Sequence, residues 1–159
     1  MKHLLVALSV VAVSFNACQR KADDGSAAAK KYVTQLKADK YPRYDIIPKL
    51  DTSAIPVLIQ YVNDSSVIQN YPIPSLSAVA YGPQQVGMII MYTIESIRLQ
   101  RVNGASSIPY ARDTTAPDRK LTVAELAPHY VDWWNKNKDK PAEELKVISP
   151  LAGTSLSWH

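Results

Sequence analysis

The chain contains one thiol, Cys18, and its surroundings decide what that thiol can do. A single cysteine can form no intrachain disulfide. It follows a short basic head (Met1-Lys2-His3), an apolar run over residues 4–13, and a small residue, Ala17. Such a run has the length of an export-signal core and falls short of the ~20 apolar residues that span a bilayer. A lone thiol at the end of an export-type signal is placed for covalent attachment rather than for pairing, and lipid is the group expected there. Residues 1–17 are then a signal peptide, residues 18–29 a polar lipidated tether (Gln19-Arg-Lys-Ala-Asp-Asp-Gly-Ser26 at its heart), and residues 30–159 the working domain.

Elsewhere, side chains with chemical potential are sparse. Glu95 and Arg98 sit at i,i+3 in an otherwise apolar stretch, with Tyr92 one turn earlier. Together they could line a small-ligand or enzymatic pocket beneath residues 67–83. The arrangement expected instead is a solvent-side pair that ties that segment down, because one acid without a partner base makes no mechanism. His129 and Asp132 share the same spacing, which reads as a surface pair before it reads as a dyad. Trp133 and Trp134 are adjacent and so point about 100° apart on a helix; one belongs in the core, and the other can receive the tail that ends in Trp158 and His159. No glycine-rich phosphate loop, His-Glu-x-x-His, cysteine pair or Gly-x-Ser-x-Gly occurs, so neither a catalytic residue nor a metal or other cofactor is expected. Asp113-Thr114-Thr115 matches a three-residue pattern for bacterial O-glycosylation, with Thr114 as the acceptor. The formal charge of +4 is spread without a dense basic cluster, which argues against nucleic acid as a partner.

The elements that must position these residues follow from periodicity and punctuation. A helix over residues 27–37 places Tyr32, Val33 and Leu36 on one stripe, with Ser26 as its N-cap. Asp51-Thr52-Ser53 caps a second helix over 54–62, with Pro56 in the tolerated first turn and Ile55, Leu58 and Val62 on one face. Residues 67–83 hold three prolines and no sustained period, yet carry Val67, Ile68, Tyr71, Ile73 and Leu76; they read as a long ordered loop. Residues 84–100 form the strongest helix, apolar nearly all round and therefore central, with Gly87 allowing another backbone to come close. Residues 102–120 are polar loop. Thr122-Val-Ala-Glu125 is a capping box that opens a helix to about Lys138, and Pro141 starts a last short one. The expected fold is all-α: a small antiparallel bundle of four or five helices with a long packed apolar loop, with room for short strands within 67–82 or 105–112.

Two resemblances add to this reading. Phe15-Asn-Ala-Cys18 resembles a lipobox, which implies a diacylglyceryl group on the Cys18 sulfur, a cut just before it, acyl chains on Cys18, a membrane as first partner and a place in the cell envelope, on the periplasmic face of the outer membrane. Residues 51–64 (DTSAIPVLIQYVND), the helix ending Met91-Tyr-Thr-Ile-Glu-Ser-Ile-Arg98, and the Trp133-Trp134 ending with Pro150-Leu151 and Trp158 resemble a family of uncharacterised Bacteroides-type lipoproteins. That family is a domain of unknown function and implies no catalytic residues. The pair formed by residues 54–59 and the helix from Gln84 also looks, more weakly, like a HEAT unit. The function expected is a non-enzymatic binding module, which an envelope protein partner would engage; a flat apolar groove would favour it, and a deep pocket containing Glu95 would favour the ligand-binding alternative.

Overall fold

In a computed structural model the chain is described over residues 13–42, 45–73, 82–102, 106 and 108–158, with side chains from Gly25 onward. Helix α1 (Val13–Lys37) is followed by a 3-10 turn at Thr52–Ala54, the single α-turn α2 (Ile55–Leu58) and another 3-10 turn at Ile59–Tyr61. Strands β1 (Val67–Ile68) and β2 (Gln84–Gln85) lead into α3 (Val86–Leu99). Strands β3 (Ala111–Asp113) and β4 (Ala116–Lys120), helices α4 (Val123–Asn137) and α5 (Ala142–Val147), and strand β5 (Leu156–Trp158) complete the order.

The all-α expectation is overturned: the fold mixes helices with two antiparallel sheets. One sheet pairs β1 with β2, Val67 opposite Gln85. The other has the order β4-β3-β5, so the C-terminal tail closes onto the β3–β4 hairpin, Ala111 opposite Trp158 and Asp113 opposite Leu156. These strands are two to five residues long and read Gln-Gln, Ala-Arg-Asp or Ala-Pro-Asp-Arg-Lys. None is long or apolar enough to show the period of two on which a strand is recognised.

The helices lie close to their expected places. Of the fourteen residues of α3 all but Leu99 are buried, and the helix forms the centre of the core. Its first N–H groups are satisfied by backbone rather than by a capping side chain: Val86 donates to Ser66 O at 2.9 Å and Gly87 to Asp64 O at 2.8 Å. That approach puts Val62 O only 2.4 Å from where a Cβ on Gly87 would stand. The helix ends with Gln100 in the left-handed region at φ 55, its N–H on Ile97 O and that of Arg101 on Ser96 O. The expected helix over 54–62 is a short α-turn between 3-10 turns, capped by Asp51, whose carboxylate accepts the Ser53 N–H at 2.9 Å. Helix α1 begins at Val13 rather than Ala27, so its backbone continues through residues 18–29. From Ala29 on it buries Tyr32, Val33 and Leu36 as expected. No helix of the described residues is long and apolar enough to cross a membrane.

Candidate functional site

The sequence directed attention to Tyr92, Glu95 and Arg98, and α3 brings all three into the interior. Glu95 is 1% exposed and Arg98 6%, which corrects the expectation of a solvent-side pair. The guanidinium grips the carboxylate, Nη2 to Oε2 at 2.6 Å and Nε to the same oxygen at 3.2 Å. Its remaining end donates to Lys146 O of α5 at 2.5 Å. Glu95 Oε1 accepts the Tyr130 hydroxyl of α4 at 3.0 Å, and that hydroxyl accepts the Trp158 indole N–H of β5 at 2.8 Å. The Trp158 ring lies 5.5 Å from that of Tyr92, whose hydroxyl donates to Ser106 O. Burial pushes the Tyr92 hydroxyl up to about 12, against the lowering effect of that hydrogen bond, and raises Tyr130 well above its ordinary range, with the nearby Glu95 charge adding to the rise.

Such an arrangement can do little chemistry. Both carboxylate oxygens are occupied by donors, the guanidinium is spread between Glu95 and a carbonyl, and the raised phenols stay protonated at neutral pH. What the cluster does is join α3, α4, α5 and the tail. None of the partners named comes from residues 67–83, and the part of the expected pocket roof formed by 74–81 lies outside the described residues.

The other candidates separate. Asp132 pairs with Lys136 at 2.7 Å, an i,i+4 contact on the exposed side of α4. Trp133 is the core tryptophan, its indole N–H on Ile148 O at 2.9 Å. Trp134 packs beside it at 5.9 Å. The tail's Trp158 bonds to Tyr130 and packs at a tilt against Tyr92 instead. Thr114 is exposed at the β3–β4 turn, with its hydroxyl donating to Ser155 O at 2.9 Å. The thiol of Cys18 lies outside the described side chains, although its backbone is part of α1.

A feature the sequence did not suggest is an open cleft of about 550 Å³. Its walls are the segment 46–52, the last turn of α3 with residues 100–102, and Ala142 at the start of α5. Ile47 and Ile97 form an apolar floor, while Ile46 and Val102 stand at its edge 51% and 57% exposed. Large apolar side chains so exposed in one concavity are unusual unless something covers them. The signal was available: Ile46-Ile47-Pro48 is an apolar run with no helical or strand period, and Val102 lies just past a helix end. Neither fact locates the two beside each other. Glu95 is absent from the cleft wall although Ser96 and Ile97 belong to it, because successive helical side chains diverge by about 100°.

In comparison with known proteins, a family model described as "Domain of unknown function (DUF4943)" matches residues 23–159. No curated protein and no solved structure matches the chain.

Proposed function

We propose that this chain, which belongs to the DUF4943 family, is a lipid-anchored, non-enzymatic binding module of the bacterial cell envelope. The observation that carries the binding role is the apolar cleft: it is open to solvent, concave, and separate from the buried Glu95–Arg98 pair. Its volume falls in the range of small-molecule and anchor-residue sites, roughly 300–1,000 Å³. The anchor rests on sequence, on Cys18 behind an export-type apolar run; the Bacteroides-type lipoprotein reading rests on residues 51–64, 91–98 and the Trp133-Trp134 ending, and a lipid anchor of that type fits a place on the periplasmic face of the outer membrane. A catalytic alternative built on Tyr92, Glu95 and Arg98 has no favouring observation, since the partners of all three are within the fold.

Two measurements test the two halves. Metabolic labelling with a fatty-acid analogue, read with mass spectrometry of the mature N-terminus, should mark the wild-type chain and leave Cys18→Ser unmarked; a mature chain with Cys18 as a free thiol overturns the anchor. A photocrosslinking side chain placed at Ile46 should give a discrete adduct in envelopes that the same group at Val147, which is also exposed (80%), does not. Val102→Glu should abolish it. Equal adducts at both positions, or none at Ile46, would overturn the binding role of the cleft.

A further inference from the structure

Resting on the reading of the cleft as a binding site, we infer that its occupant is a single-chain amphipathic carboxylate, an acyl tail on the apolar floor with its anionic head met by Lys49 and Arg101. The charges around the cleft support this choice. Lys49, Asp51 and Arg101 are the formally charged residues of its wall. Asp51 is committed to the turn it caps, its carboxylate taking both the N–H and the hydroxyl of Ser53 at 2.9 and 2.5 Å. Glu143, next to Ala142, accepts the Gln100 side-chain amide at 2.9 Å. Lys49 and Arg101 are exposed, and among the described residues neither forms an ion pair. The carbonyl end of α3, which alone would repel an anion, is closed by the N–H groups of Gln100 and Arg101.

Size fits a single aliphatic chain with a small head. At the ~30 Å³ that a water-sized group takes in a liquid, the cleft holds about eighteen non-hydrogen atoms, the size of a long-chain fatty acid. An aliphatic tail would cover Ile46, Ile47, Ile97 and Val102 and remove apolar surface from water at about 25 cal/mol per Å². A carboxylate gains less, because its partners are exposed and screened, and it sets orientation more than affinity.

The probe is a diazirine-bearing dodecanoate, irradiated with the purified full chain, beside the matching dodecanol as the uncharged arm. Adducts are expected on residues 46–52 and 97–102, displaced by excess dodecanoate, and roughly threefold to tenfold weaker for the alcohol, as fits two exposed charge pairs. The K49Q/R101Q double variant should bring the carboxylate down to the level of the alcohol while its melting temperature stays unchanged. Adducts spread over the surface, or equal labelling by acid and alcohol, overturn the proposal. So does a lack of labelling where the Ile46 crosslinker still captures one discrete protein; that result leaves the binding module standing with a different occupant. Failure of both probes removes the two together.

Discussion

A carboxylate that is 1% exposed and a guanidinium that is 6% exposed cost several kcal/mol each to desolvate, and the pair persists because both carboxylate oxygens and all three guanidinium nitrogens have a hydrogen-bond partner. Removing one member should therefore do more harm than the worth of the contact. Glu95→Ala leaves the Arg98 charge buried with Lys146 O as its named partner and should destabilise the fold by about 3–5 kcal/mol in urea denaturation. Tyr130→Phe removes one donor from Glu95 and the acceptor of Trp158 and should cost about 1–3 kcal/mol. Losses below ~1 kcal/mol for both variants would mean that water reaches the pair. The i,i+3 pairing was legible, but its direction was not. A helix apolar nearly all round offers no polar face against which to orient two charges. Their partners, Tyr130 and Lys146, lie 35 and 48 residues away in sequence.

At the scale of elements, what the sequence revealed depended on length. Helix α4 was bounded to within a residue or so because Thr122 and Glu125 are a local signal: the Glu125 carboxylate accepts both the N–H and the hydroxyl of Thr122 at 2.8 Å. Helix α3 was found by its long stripe, and the role suggested for Gly87 also holds. There the alanine test has competing terms. A methyl group improves helix propensity by up to about 1 kcal/mol. It would also meet backbone, Val62 O at 2.4 Å and Val62 C at 2.9 Å, neither of which can swing away like a flexible side chain. Forcing such a contact costs about 1–3 kcal/mol, so Gly87→Ala should lower the denaturation midpoint. A midpoint unchanged or raised would show that α3 and the turn before β1 can part freely. The windows 67–82 and 105–112 left room for β1 and the start of β3, but the sheets they build were not legible, for the opposite reason. Strand β5 acquires its identity only by pairing with β3 more than forty residues earlier, and β4 contains Pro117 and three charges that suit an exposed sheet edge. Pairing between segments so distant leaves no periodic trace in either one.

Across the whole molecule, the buried tyrosines tie separate layers together. Tyr32 of α1 shares a hydrogen bond with Thr93 of α3 at 2.8 Å and meets the Tyr41 ring at 5.4 Å, edge to face. Tyr92 and Tyr130 bring the tail and α4 onto the other side of α3. Burial raises all four hydroxyls, Tyr41 and Tyr92 to about 12, and Tyr32 and Tyr130 well above the ordinary range. The unfolded chain releases these protons near pH 10. Above that pH the unfolded state therefore binds fewer protons than the folded one, and stability, fully present below about 10, falls as the pH rises through about 12. The melting temperature should hold steady up to about pH 9 and then drop. Phenolate absorbance from the buried rings should appear together with the loss of helical circular dichroism, since these hydroxyls ionise when the layers separate. Phenolate signal complete near pH 10 with the helices intact would show that solvent reaches the rings in the folded state. Tyr92→Phe keeps the ring on Trp158, gives up the bond to Ser106 O, and removes one ionisable group. It should be less stable than wild type at neutral pH and lose less of its remaining stability between pH 10 and 12, a crossing of slopes that lost packing alone would not produce.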